Sequence, residues 1–182
     1  MRRWLLICIA ACFSASVFAN GADIKSVEIV RDEAALYLDA DYAIALPAPL
    51  EDALNHGLAL NFVLEFELAT PRWYTLYLWN KTAASVQQPY RLVFNVLTRD
   101  YRLNAGALEQ SFSSLEEALE QMGRVRSLFL VRREQVDADR VYEAMLRLRL
   151  DTSLLPKPLQ INALASRDWN LSSDWYRWTI RP

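Results

Sequence analysis

Cysteine, histidine and glycine are scarce in this chain of 182 residues: two, one and four. Each shortage removes a class of chemistry. The two closest glycines, Gly106 and Gly123, are 17 apart, so neither a phosphate-cradling P-loop nor a GxGxxG turn can be written. A single histidine and two cysteines leave little for a zinc site or a His-based triad. No GxSxG turn is present. An enzyme would have to work with carboxylates alone, as glycosidases do, and that chemistry needs two positioned acids. Asp168, Asp174, Glu65 and Glu67 are available, but no spacing selects a pair among them. The chain is therefore expected to be non-enzymatic and to carry no cofactor.

What is present begins with an export pattern. Arg2 and Arg3 form a basic start, and Trp4 to Phe18 is apolar except for Ser14 and Ser16. Val17 and Ala19 are the small residues a signal peptidase accepts, so cleavage between Ala19 and Asn20 is expected. The apolar run falls short of the ~20 residues of a spanning helix. Two alternatives stand beside cleavage: an uncleaved anchor, and a lipoprotein acylated on Cys12 through Ile9-Ala10-Ala11-Cys12. Cleavage removes Cys8 and Cys12 and leaves a domain, 20–182, without thiols or disulfides. Losing Arg2 and Arg3 from the 20 basic residues leaves 18 against 22 acidic ones, a net charge of −4. Such a domain lacks the basic surface of a nucleic-acid or anionic-membrane binder. A domain of this length buries about 68–70% of its unfolded surface, enough for a core without disulfides.

Period-two alternation runs through the mature chain. Leu36, Leu38, Ala40, Tyr42, Ile44 and Leu46 alternate with Tyr37, Asp39, Asp41 and Ala43; Leu58, Leu60, Phe62, Leu64, Phe66 and Leu68 alternate with Asn61, Glu65 and Glu67. Over 140–151, Tyr142, Ala144, Leu146, Leu148 and Leu150 alternate with Glu143, Met145, Arg147, Arg149 and Asp151. Each segment has one core face and one wet face, the mark of antiparallel sheet. Segments 24–31, 73–79, 88–98, 100–104, 127–132 and 174–180 are less regular but rich in strand-forming residues. Ser114-Leu115-Glu116-Glu117 is a capping box opening a helix over 114–123. Pro49 to His56, stopped by Gly57, reads as a shorter one. Pro156 and Pro158 exclude a helix interior or central strand at Leu154–Pro158. The expected fold is mainly β: an antiparallel two-layer β-sandwich of about nine strands, with those two helices packed on it.

Three candidate sites follow. Asp39 and Asp41 share one wet face, and Glu65 and Glu67 another; if their strands are neighbours, four carboxylates could hold Ca²⁺. The competing reading pairs them with Arg91, Arg99, Arg147 and Arg149 across strands, a solvated face with no metal. His56 sits where a helix ends and reads as a cap residue. Arg72 and Trp73 open a run of aromatics to Trp79, and Arg167, Asp168, Trp169, Trp175 and Trp178 form a second. Trp, Tyr and Arg dominate binding hot spots, so these segments are candidates for a protein partner or, alternatively, a glycan or lipid.

Several short motifs together resemble the DUF4390 family, exported proteins of unknown function from Gram-negative bacteria. They include Phe62-Val-Leu-Glu-Phe-Glu-Leu68, Pro71-Arg72-Trp73, Leu97-Thr-Arg-Asp-Tyr-Arg-Leu103, Gln110-Ser-Phe112, Leu155-Pro-Lys-Pro158 and Ser166-Arg-Asp-Trp-Asn-Leu171. The resemblance implies an envelope location, a single domain, and an unknown envelope partner such as a nitrogen-regulation-type membrane sensor kinase. It transfers no catalytic or binding residue.

Overall fold

The computed structural model describes residues 21–70 and 81–182. The expected leader with Cys12, Ala19 and Asn20, the strand 73–79, and the candidates Arg72 and Trp73 lie outside the described residues. The strands are β1 (Gly21–Arg31), β2 (Ala35–Ala45), β3 (Leu60–Thr70), β4 (Lys81–Asn95), β5 (Asp100–Ala105), β6 (Leu108–Phe112), β7 (Arg124–Arg132), β8 (Tyr142–Leu150) and β9 (Tyr176–Ile180). The helices are α1 (Ala48–Asn55), α2 (Leu115–Met122) and α3 (Lys157–Ala165). The strands form a three-stranded sheet, β1-β2-β7, and a six-stranded sheet, β6-β5-β4-β3-β8-β9, antiparallel throughout. The fold is thus the mainly β, sandwich-like one expected.

The alternating strands bury the faces their sequences mark. Leu36, Leu38, Ala40 and Tyr42 of β2 meet Leu60, Phe62, Leu64, Phe66 and Leu68 of β3 and Tyr142, Ala144, Leu146, Leu148 and Leu150 of β8 in one core. Each fully buried Leu or Phe contributes on the order of 1.5–3 kcal/mol, as an upper bound. The central position of β3 in the larger sheet follows from its pattern, since it carries the longest unbroken row of large apolar side chains.

The helices differ in how well their sequences announce them. In α2, Ser114 caps the helix by accepting a hydrogen bond from the Glu117 amide at 3.2 Å. The Glu117 carboxylate reaches one residue further back than a capping box requires, to the Ser113 amide and hydroxyl. Gly57 takes φ +87 after α1, a conformation that favours glycine. Gly123 is required for space: its φ is −72, but an added Cβ would lie 2.5 Å from the Tyr42 carbonyl oxygen. Helix α3 was not expected, because Pro156 and Pro158 were read only as breakers. They sit just before and within its first turn, where the missing N–H groups cost nothing. Both boundaries of one strand also shift. The expected 88–98 ends at Asn95, whose side chain accepts from the Leu97 amide and turns the chain into β5. At its other end β4 runs back to Lys81, through a polar stretch paired with the end of β3. Strand β6 was missed altogether.

All three helices close one pole of the sandwich. Helix α1 follows the end of β2, α2 lies between the end of β6 and the start of β7, and α3 follows the end of β8. Asn55 of α1 accepts a hydrogen bond from the Tyr101 hydroxyl at the start of β5, tying α1 to the β4–β5 turn. Gly21 pairs with Ala45, so β1 also begins at this pole.

Candidate functional site

The acidic pairs separate. Asp39 and Asp41 lie on the outer face of the three-stranded sheet, whereas Glu65 and Glu67 lie on the outer face of the six-stranded one. The strands β2 and β3 are not neighbours, so the four carboxylates do not converge on a cation. Among the described residues no group of three or more metal-ligating side chains forms. Asp41 instead accepts hydrogen bonds from Arg126 at 2.6 Å and Ser26 at 2.9 Å, which hold its carboxyl below the usual range. Asp39 accepts from the Ser127 amide at 2.7 Å, across a bulge in which Ser127 has φ +51.

Glu65 is the only buried charged residue among those described. Arg147 bonds one carboxylate oxygen at 2.5 and 3.1 Å, and Arg149 the other at 2.9 Å, both from β8 next door. Burial raises the Glu65 pKa, but the hydrogen bonds and charges of the two guanidinium groups outweigh it and hold the carboxyl below its ordinary range. The Arg147 guanidinium in turn lies 4.3 Å from the centre of the Trp175 ring. The cross-strand arginine reading therefore describes Glu65 through Arg147 and Arg149. This cluster is closed on itself and leaves no carboxylate oxygen for acid–base work.

The three C-terminal tryptophans do not share a surface. Trp178 pairs with buried Ala144 and packs on Phe66, with ring centres 6.2 Å apart, so it faces the core. Trp175 lies under Arg147 on the outer face. Trp169 lies at the helical pole beside Pro49, Ala53, His56 and Leu159, in a groove of about 650 Å³. Asp168 is exposed nearby. A single aromatic platform for a sugar ring is not assembled from these residues. His56 caps α1 as its sequence suggests: its amide donates to the Asp52 carbonyl, and Nδ1 lies 2.7 Å from the same oxygen.

A different place has the form of a binding site. The smaller sheet covers only part of the larger, and a cleft of about 470 Å³ opens where β7 ends its sheet. Its floor is the inner face of β4, β5 and β6: Tyr90, Leu103, Ala105, Leu108 and Gln110. Its wall is β7, with Val125, Leu128 and Phe129. Leu108 is 58% and Phe129 48% exposed, although both line a concave surface. Burial pushes the Tyr90 phenol up to about 12, the floor holds no charged side chain, and Arg124 and Arg126 bring positive charge to the wall.

A family model described as Domain of unknown function covers residues 19–179. The chain belongs to the DUF4390 family. No curated protein and no solved structure matches it.

Both edges beside the cleft of this DUF4390 domain are strands with one unpaired side, but they differ. Strand β7 carries two register shifts against β2, and such bulges blunt an edge. Strand β6 pairs with β5 without a shift over all five residues. The two-residue loop Gly106-Ala107 closes on the Ala105–Leu108 pair. Ladder bonds then fall on alternate pairs, and the backbone groups of Glu109 and Ser111 point to the free edge. Sequence patterning missed these residues because Leu108–Phe112 holds only two large apolar side chains and no alternation. The available signal was Gly106 set between two short polar strands, the spacing of a hairpin, and here its φ is +63.

Proposed function

We propose that this DUF4390 domain is an exported, non-enzymatic accessory module of the cell envelope that binds an extended segment of a protein partner. The observation that carries the reading is the cleft beside β6. A regular edge strand offers backbone donors and acceptors, and the apolar inner face of β4–β6 continues up to the place an added strand would occupy. Strand addition works in this way, with main-chain bonds supplying affinity and alternate side chains filling pockets. A five-residue edge suits a transient contact more than a permanent one. Export is supported by Arg2, Arg3 and the apolar run to Phe18 with its Val17-Phe18-Ala19 end. The family resemblance makes a membrane sensor kinase the partner to examine first.

The test is site-specific crosslinking in cells producing the full chain. A photoreactive residue at Leu108 is expected to give a discrete adduct, and one at Val30, on the far edge of the smaller sheet, is not. Glu109→Pro removes a free-edge donor without touching the β5 ladder and should abolish the adduct, whereas Glu109→Ala should leave it. An adduct that persists in Glu109→Pro, or equal yields from both positions, would overturn the reading.

A further inference from the structure

The most exposed large apolar side chains are not spread evenly. Among the described residues, the four highest are Leu97 at 94%, Ile161 at 68%, and Val96 and Leu154 at 61% each. All four lie at the helical pole. Val96 and Leu97 form the tip of the β4–β5 turn, Leu154 precedes α3, and Ile161 lies on α3 itself. The tip is built: the Asn95 side chain accepts from the Leu97 amide at 3.0 Å, and the Arg99 amide donates to the Asn95 carbonyl at 2.7 Å. These bonds fix the turn and hold its two apolar side chains outward, into what would otherwise be water. A single exposed Leu requires no explanation, but four at one pole do.

The same pole receives the start of β1. Gly21 pairs with Ala45, two residues before Pro47 and the start of α1, so a leader retained uncleaved, the anchor alternative, would join the domain here. That segment is the most apolar stretch of the sequence. We propose that the helical pole is a lipid-facing surface, on which Val96, Leu97, Leu154 and Ile161 dip into the headgroup boundary of the bilayer. Such contacts reach about 5–10 Å into the interface, the depth of an exposed side chain on a firm turn. Charges of both signs lie at this pole, Glu51, Asp52 and Glu116 with Arg99 and Lys157, so no field of one sign is offered to a lipid headgroup and the contact is apolar. It is separate from the cleft, and its failure would leave the strand-addition reading intact.

The test uses the full chain with Cys8→Ser and Cys12→Ser, reconstituted in phosphatidylcholine vesicles. One cysteine, introduced as Leu97→Cys, Ile161→Cys or Val30→Cys, carries an environment-sensitive fluorophore. Position 30 is the control: it lies near the other end of the 11-residue β1, about 30 Å from Gly21. Labels at 97 and 161 should shift to the blue and lose intensity to lipids bearing a quencher, while the label at 30 should do neither. Added phosphatidylglycerol should change the shift little, because the contact is apolar. Adding Leu97→Asp to the Ile161→Cys chain should return that label to a water-like emission. If labels at 97 and 161 read water as position 30 does, or if all three shift equally, the proposal falls.

Discussion

Two ion pairs of nearly equal length offer a controlled measurement of what burial does to a charge. Arg147 lies 2.5 Å from Glu65, with side chains 29% and 10% exposed; Arg126 lies 2.6 Å from Asp41, with side chains 51% and 42% exposed. Removing one partner of a buried pair costs about 3–5 kcal/mol, because a charge is left without compensation. In Arg147→Met, Arg149 still donates to Glu65 and the site is partly wet. Roughly half that range, about 2 kcal/mol, is therefore expected. Arg126→Met should cost no more than about 1 kcal/mol. With a urea dependence near ~2 kcal/mol per molar, the first variant lowers the unfolding midpoint by about 1 M and the second by less than half of that. The pH dependence adds a second check. Glu65 has a depressed folded pKa, so its contribution is complete above the unfolded value of about 4.3 and is lost as pH falls through the folded one. Without Arg147 that folded pKa rises. The gap between the native protein and Arg147→Met should be full at neutral pH and close in acid. Tryptophan fluorescence follows the unfolding, and loss of the Arg147 stack should also alter Trp175 emission. Equal midpoint losses for the two variants, or a gap independent of pH, would refute the reasoning.

Two further substitutions test the helical pole. Gly123→Ala would place a Cβ 2.5 Å from the Tyr42 carbonyl, with backbone on both sides of the clash. A loss of about 1–3 kcal/mol is expected, a drop of several degrees in a thermal melt, and an unchanged Tm would show that the α2–β2 approach is looser than described. Ser114→Ala removes the cap of α2 and should cost about 1 kcal/mol, with Ser114→Asp restoring most of it. Calorimetry that finds Ser114→Ala and Ser114→Asp alike would mean that Glu117 alone holds the helix start.

The strands that carry the core were legible because each has one wet face. In β2, β3 and β8 the period of two survives from the sequence to the buried rows Leu36–Tyr42, Leu60–Leu68 and Tyr142–Leu150. Where both faces are half-covered, the pattern fades. Lys81–Gln87 reads as polar chain, yet it pairs along the end of β3, so neighbours decided its conformation and not its own hydrophobicity. Helix α3 shows the reverse problem: a proline pair is a signal for both a stop and a start, and only tertiary context selects. The candidate site was less legible still. Glu65 was found as one of four acids and its arginines were named, but the separation of Asp39 and Asp41 from it depends on strand order. Sequence alone does not set that order. The cleft arises from unequal sheets, a property of no single segment. Trp175 and Trp178 are three residues apart on an edge strand and its approach, so they take opposite faces although the sequence lists them together.

The direction of β1 has a mechanical meaning. Gly21 enters at the helical pole, and β9 ends on Ile180 opposite Tyr142, at the other pole. A pull between the N-terminal segment and the C-terminus therefore runs nearly parallel to the strands. Ladder hydrogen bonds lie across that direction, so β1 cannot be unzipped from β2 one bond at a time. Its registered pairs from Gly21–Ala45 to Arg31–Leu36 must slide together. A load applied along the strands is thus shared by that whole row, and β1 yields only when the row gives way as one.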